Sequence, residues 1–379
     1  MTVHFQGESI NDYYPRVCQS LMEYGVTASP RGLETKELHP TTVHISNPRE
    51  RLITSVGRMI NLPFALAEVV QIIGGLNDAQ ALRYYNSQII KVQGDKPGLD
   101  NYHPSEPEYD EWQDKVTRFN AAYGERMRAF NSGQKVGFTP QPIDQLKHVI
   151  ETLRADPDSR QASIVLSHPF WDNYRENTKD RACNVYAHVM IRNRKLDWMQ
   201  VMRSNDIIWG LPYNFVQWLH VMEWVASQLN VPMGNYFLVQ DSLHVYEQHY
   251  DECKRVKPFD LYRHIQSPQF IMDPVGDGWF RENVVKWEEW IRTGGPTTLV
   301  IAESYSYWYD VVKVFNSYAA FKQKRDQLAY ELLPNHPELR WSLLRNYVVW
   351  RWHKNEYYQL FHDVLLELPF EEKFAWLKG

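Results

Sequence analysis

The sequence predicts an α+β fold with a helical C-terminal addition, and three observations carry that prediction. Short segments rich in β-branched and aromatic residues recur between Ala162 and Tyr246. Between them Phe215, Leu219, Met222, Ala226 and Leu229 step by 4, 3, 4 and 3, the spacing of one helix face. Eight of the 14 Trp lie after residue 255, where the patterns turn helical and aromatic-rich.

Along the chain, residues 1–40 read as a weakly patterned lead-in. β-branched residues between Thr42 and Ile60 predict short strands. Phe64 to Gly74 is apolar almost throughout and runs into Gly75, which predicts a buried helix with a glycine stop. Its one interior charge is Glu68. Residues 93–108, with three Pro and two Gly, read as a loop. Apolar residues at 143, 146, 149, 150 and 153 predict a helix from Pro142 to Ala155, closed by the turn Asp156-Pro157-Asp158-Ser159. Ala162 to Leu166 reads as a strand. Cys183 to Ile191 and Leu196 to Met202 flank Arg192-Asn193-Arg194-Lys195 as a hairpin, and Tyr236 to Tyr246 is a further strand. Trp308 to Phe321 and Ser342 to Trp352 read as helices. The expected organisation is a lead-in over 1–40, a catalytic domain over 41–265 and a helical extension over 266–379.

Composition excludes several function classes. The hydrophobic fraction of 44% and charged fraction of 23% are ordinary for a globular protein, and a net charge of −5 argues against direct nucleic-acid binding. The three cysteines have neither metal-ligand nor redox spacing, so no metal and no disulfide framework are expected, and a reducing cytoplasm fits. No apolar run reaches membrane-spanning length and the N-terminus has no signal-peptide pattern.

Five segments carry chemistry. Cys183 opens a strand beside Arg181, and a nearby cation favours the thiolate. Arg203-Ser204 pairs a guanidinium fork with a hydroxyl, which suits phosphate oxygens. Gly210-Leu211-Pro212-Tyr213-Asn214 sets a fixed turn before an amide able to meet a base edge with a donor and an acceptor. His244 and Tyr246 share one strand face and fit a sugar hydroxyl. Glu68 is a carboxyl in an apolar helix that needs a partner or a catalytic reason. Taken singly, each also admits a structural reading: a buried thiol, a solvated turn, a helix cap at Asn214, a core histidine.

Together these residues resemble the thymidylate synthase and pyrimidine nucleotide hydroxymethylase superfamily. The order is a buried-helix Glu, Tyr123-Gly124, the PDSR turn, a strand-end Cys, RSND, GLPYN and HVY, over roughly residues 45 to 255. The resemblance implies the fold of that family, a mixed sheet with packed helices. It implies Cys183 as nucleophile, Glu68 and Tyr123 in proton transfer, and Asn184 beside the nucleophile. It implies a substrate site of Arg203, Ser204, Asn214, His244, Tyr246 and Arg49, with Arg160 reaching the phosphate of a neighbouring subunit in a homodimer with shared sites. Asp206, Trp112 and Tyr109 are expected to hold 5,10-methylenetetrahydrofolate.

The chain also departs from the synthases. Asn184 stands where they have His, Met202 where they have Gln, Gln161 where they have a second Arg, and Tyr109 where a tryptophan precedes Asp110-Glu111-Trp112. VMRSND and SLHVY look closer to phage deoxycytidylate hydroxymethylases, yet those carry Asp where Asn214 stands. An amide matches the uracil N3–H and O4 pair directly, whereas an ionised carboxylate only accepts. The expected activity is therefore C5 hydroxymethylation of dUMP. Thymidylate synthase, a dCMP or CMP hydroxymethylase, and a non-catalytic nucleotide-binding relative are the alternatives.

Overall fold

The computed structural model describes residues 3–93, 113–131, 135–136, 139–174, 178–258, 272–295 and 307–351. The loop expected over 93–108, and Tyr109 and Trp112, lie outside the described residues except at the loop's first position.

A mixed eight-stranded sheet organises the molecule. Its strands are β1 (Val3–Gly7), β2 (Val26–Ala28), β3 (Thr35–Leu38), β4 (Thr41–Ile45), β5 (Ser163–Val165), β6 (Asn184–Arg192), β7 (Lys195–Asp206) and β8 (Met233–Tyr246). The main order is β1-β4-β8-β7-β6-β5, and β3 pairs with both β2 and the far end of β8. Strands β6 and β7 form the expected hairpin. Asn193 and Arg194 both take positive φ, 51° and 59°, the backbone that lets a two-residue turn match strand twist. Strands β7 and β8 run parallel, with Ser242 opposite Ser204 and His244 opposite Asp206. A parallel pair needs a crossover, and helix α6 (Leu211–Leu229) supplies it.

The N-terminal segment, expected to be weakly patterned, carries β1, helix α1 (Ile10–Tyr24), β2 and β3. Ser9 and Asp12 form a capping box on α1, and Tyr13, Tyr14, Val17 and Leu21 on its inner face are fully buried. Short strands of three to five residues gain their stability from neighbours, so this part of the sheet left little pattern in the sequence.

Helix α2 (Leu62–Gly74) matches the apolar run, is capped by Asn61, and stops at Gly75, whose φ of 69° is left-handed. It is buried nearly all round because it packs on α6 on one side and on C-terminal helices on the other. Among the latter are α8 (Tyr307–Lys322) and α9 (Pro337–Trp350), with α7 (Lys286–Arg292) beside α3 (Ala79–Tyr85). Trp224 of α6, Phe280 and Trp308 form an edge-to-face cluster with centroids 4.8–5.9 Å apart. Asn346 of α9 accepts from Leu62 N at 3.0 Å and donates to Ile60 O at 2.7 Å, so it satisfies a free N–H at the start of α2. Buried residues from the N-terminal, central and C-terminal segments form one continuous core. No helix among the described residues is long and apolar enough to cross a membrane.

The helix expected from Pro142 begins later, as α5 (Gln145–Ala155), because Asp144 caps it by accepting from Lys147 N at 2.9 Å. The short helix α4 (Tyr123–Arg128) lies against α2. Its Gly124 is required by that approach: a Cβ there would sit 2.3 Å from Gln71 O and 2.5 Å from Leu76 O. Backbone oxygens cannot move aside as a side chain can. Gly124→Ala is expected to lower unfolding free energy by about 1–3 kcal/mol, measured by urea denaturation. An unchanged midpoint and slope would contradict the close approach.

Candidate active site

The site forms at one end of the sheet. Strand β7 ends there with Arg203-Ser204-Asn205-Asp206, and β8, parallel to it, ends there with His244 and Tyr246. Strand β6 is antiparallel to β7, so its start, with Cys183 just before it, lies at the same end: Arg203 N donates to Cys183 O at 3.0 Å. Helix α6 leaves this end, and Asn214 lies in its first turn. The cap is Gly210, so Asn214 is not the N-cap. A Cβ at Gly210 would meet Asn205 Oδ1 at 2.7 Å, which ties the glycine to the Asn205 amide.

The approach to Cys183 is held by buried charge. Arg126 of α4 grips Asp172 through both guanidinium nitrogens, at 2.5 and 2.9 Å, and Asp172 accepts from Ala182 N at 3.1 Å. Asp180 accepts from the backbone N–H groups of Asn120 and Ala121, just before α4. Tyr123, one turn before Arg126, thereby reaches the strand entry: its hydroxyl accepts from Cys183 N at 3.2 Å and Asn184 N at 3.1 Å. Burial pushes this phenol up to about 12, despite the two N–H donors.

Cys183 is half-buried and its thiol is free of any disulfide. Arg203 lies along the chain that precedes it, donating to Ala182 O at 2.9 Å and Arg181 O at 3.3 Å, with Nη2 3.7 Å from Sγ. Burial raises the thiol above its usual value, while Arg203 and then Arg31 act to lower it. Arg181, the cation expected beside the thiol, turns away to Thr178 O and Asp172 O.

Behind the thiol runs a chain of amides. Trp198 Nε1 donates to Gln200 Oε1 (3.0 Å), and Gln200 Nε2 to Asn184 Oδ1 (3.0 Å). Asn184 Nδ2 donates to Asn214 Oδ1 (3.3 Å), and Asn214 Nδ2 to Asn205 Oδ1 (3.0 Å). Asn205 Nδ2 donates to Gln240 Oε1 (2.7 Å), and Gln240 Nε2 reaches Thr41 Oγ1 (3.1 Å).

Two carboxyls complete the site. Glu68 on α2 is half-buried beside Gln217 and Tyr213 of α6, and desolvation raises it to about 8, with Gln217 acting to lower it. Asp206 accepts from the N–H groups of Ile208 and Trp209, and burial raises it too, against His244 opposite. Glu68 Oε2 and Asp206 Oδ2 are both buried without a hydrogen-bond partner among the described residues. Such unpaired oxygens require partners from elsewhere: Asp206 Oδ2 fits an N–H-rich heterocycle such as a pterin, while Glu68, protonated below about 8, fits an acceptor or a water. His244 meets Tyr246 edge-on at 5.3 Å, and burial lowers its imidazole.

The structure thus brings together Cys183, Asn184, Arg203, Ser204, Asp206, Asn214, His244, Tyr246 and Tyr123, with Glu68 one helix layer behind. It does not bring Arg49 to them. Arg49 pairs with Glu223 at 3.4 Å and lines a cleft of about 460 Å³ with Lys195 and Met233, at the opposite end of β7. The reason is the register of the sheet: residues after β4 leave it where β7 begins. Arg160 is exposed on its turn, away from the thiol, with His188 on its carbonyl. Arg31 had no signal except a Pro30-Arg31-Gly32 turn, yet its charge acts on both Cys183 and His244. Trp209 was likewise missed: it is 55% exposed three residues after Asp206, with Nε1 donating to His249.

A thiol beside a guanidinium, an amide and two carboxyls gathered at one end of the sheet form an arrangement able to support covalent chemistry on a polar substrate. The thymidylate synthase family profile matches residues 12–272, and the chain belongs to that family. It is 35% identical over 247 residues to a deoxyuridylate hydroxymethyltransferase of Bacillus phage SP01, covering 65% of this chain and 59% of that protein. It is 26% identical over 148 residues to a thymidylate synthase of Buchnera aphidicola subsp. Schizaphis graminum (strain Sg), covering 39% of this chain and 53% of that one. The chain therefore spans between half and three fifths of the length of these relatives.

Glu68 gives the site a pH signature. Its folded value of about 8 lies above the ordinary carboxyl value of 4.5, so the folded state holds the proton longer. That stabilisation is complete below the unfolded value and is lost as pH rises through about 8. The stability of wild type relative to Glu68→Gln is expected to fall between these limits, by at most about 1.4 kcal/mol per pH unit. Urea titrations at the two ends of the window measure it, and a flat difference would mean Glu68 titrates normally.

Proposed function

We propose that this protein hydroxymethylates C5 of dUMP, with methylenetetrahydrofolate as the one-carbon donor. The observation that carries the reading is the meeting of the Cys183 thiol, the Arg203 guanidinium and the Asn214 amide at one sheet end. The similarity to a phage deoxyuridylate hydroxymethyltransferase supports it.

Arg203 and Ser204 bind the 5′-phosphate, with Arg31 as the further cation in place of Arg49. His244 and Tyr246 hold the sugar hydroxyl. Asn214 reads the base: Oδ1 has a lone pair for the uracil N3–H, and Nδ2 has a second hydrogen for O4. The Cys183 thiolate attacks C6, forming the S–C6 bond and moving the C5–C6 electron pair onto C5. Methylenetetrahydrofolate would be held by Asp206 with Tyr109 and Trp112, and would supply the methylene that C5 takes up, its bond from that carbon to nitrogen breaking so that tetrahydrofolate leaves. The C5 proton leaves past Tyr123. Water ordered by Glu68, neutral near pH 7, then adds to the exocyclic methylene, and elimination of Cys183 from C6 restores the ring. Cys183, high in its resting pKa through burial, relies on Arg203 and Arg31 for activation. We further propose a homodimer in which Arg160, exposed on its turn, reaches the partner's phosphate site.

Purified protein incubated separately with dUMP, dCMP and CMP plus methylenetetrahydrofolate tests the reading by product mass. Hydroxymethyl-dUMP is the expected product; methyl-dUMP would make the protein a thymidylate synthase, and turnover of cytosine nucleotides alone would overturn the uracil reading. Cys183→Ala is expected to cut turnover on the order of 10⁴-fold or more while the thermal melt is kept. Release of tritium from C5 separates an enzyme from a nucleotide-binding protein.

Mixing inactive Cys183→Ala and Arg160→Ala subunits is expected to restore activity if sites are shared. A fully active monomer in sedimentation would refute the shared site.

A further inference from the structure

The direction of an amide is ambiguous on its own, because oxygen and nitrogen can exchange places by a half turn. In the chain from Gln200 to Gln240 every link passes from an NH2 group to the oxygen of the next amide. The far end does not set that direction. Gln240 there meets the hydroxyls of Thr41 and Tyr13, and hydroxyls donate or accept equally. The near end does. The indole N–H of Trp198 can only donate, at 3.0 Å, so it selects the oxygen of Gln200. Gln200 must then present NH2 to Asn184, Asn184 to Asn214, and Asn214 to Asn205. Trp198, Gln200, Asn184 and Gln240 are fully buried and Asn205 nearly so, which leaves no water to replace a mismatched link.

The consequence falls on the base. With Oδ1 toward Asn184 and Nδ2 toward Asn205, Asn214 complements uracil. A half turn would put NH2 where the oxygen was and complement cytosine, whose N3 accepts and whose N4 donates. Against the fixed chain, that half turn would set NH2 against NH2 at Asn184 and oxygen against oxygen at Asn205.

We propose that Trp198 and Gln200 are positioning residues that lock the Asn214 amide against reversal, and so determine selectivity for uracil over cytosine at a distance from the base. This deepens the dUMP reading and rests on it. Trp198 and Gln200 touch neither base nor thiol. They act through Asn184, so this chain's Asn at that position is a link in the lock.

The test compares kcat/KM for dUMP and dCMP in wild type, Trp198→Phe and Gln200→Glu. Trp198→Phe removes the donor that sets the direction. Gln200→Glu keeps the volume but, ionised, accepts only; it draws the Asn184 NH2 toward itself and turns the whole chain, with the hydroxyls of Thr41 and Tyr13 donating at the far end. The dUMP:dCMP ratio is expected to fall about tenfold or more in each, and further in Gln200→Glu as pH rises and the carboxyl ionises. Unchanged ratios, or equal losses on both nucleotides, would overturn the lock, since loss of packing alone lowers both alike. If Trp198→Phe does not fold, the isosteric Gln200→Glu decides alone. A wild type that prefers dCMP would instead overturn the uracil reading, whatever the variants do.

Discussion

The parallel pairing of β7 with β8 is the constraint on which the site depends. Side chains that act together must leave the sheet at the same end, and only the parallel register puts Asp206 opposite His244 and Ser204 opposite Ser242. The crossover that parallel strands demand is α6, and the crossover begins at the same end, which delivers Asn214. The antiparallel turn at Asn193 and Arg194 then returns Cys183 to Arg203. Cys183, Arg203, Ser204, Asn214, His244 and Tyr246 are thus brought together by topology before any side chain chooses a partner.

Electrostatics divides the labour within that opening. Burial raises Cys183, Glu68 and Asp206 alike, yet among the described residues only the thiol has a guanidinium within 4 Å. Desolvation therefore raises both the thiol and Glu68, but Arg203 offsets part of the rise at the thiol, while Glu68 stays protonated near pH 7. The cations that lower the thiol, Arg203 and Arg31, are also the ones proposed to hold the phosphate, so in that reading binding and activation draw on the same charges.

Much of this was legible in the sequence where a period or a rigid residue type carries the information. The step of α6, the apolar run of α2 with Gly75 at its end, and the polar tetrad between β6 and β7 all survive as structure. Gly124 and Gly210 mark close backbone approaches, and the residue types flanking Cys183 marked a strand end. What stayed hidden depends on register. Arg49 and Arg31 are both arginines in loops, and only the pairing of β4 with β8 and of β3 with β8 decides which one comes near the thiol. Trp198 and Gln200 lie two apart on one strand face, where alternation reads as core packing rather than as a hydrogen-bonded line. The short strands β1 to β3 are stabilised by neighbours distant in sequence, so a local pattern was absent.

The C-terminal helices bear on the chemistry through α2. That helix holds Glu68, and its position depends on how its N-terminus is satisfied. Asn61 caps it from within, but Asn346 of α9 supplies the acceptor for Leu62 N and holds Ile60 O. Arg345, next in the same helix, donates to Thr54 O and Ser55 O, and burial lowers its guanidinium to about 9. A cation buried at that cost is held by the carbonyls it satisfies. The segment from 54 to 62 leads directly into α2, so α9 fixes the depth at which Glu68 meets Gln217 and Tyr213 of α6. The aromatic-rich C-terminal region is in this way part of what orients a carboxyl at the opposite end of the chain, and the single core running through both is the physical route of that coupling.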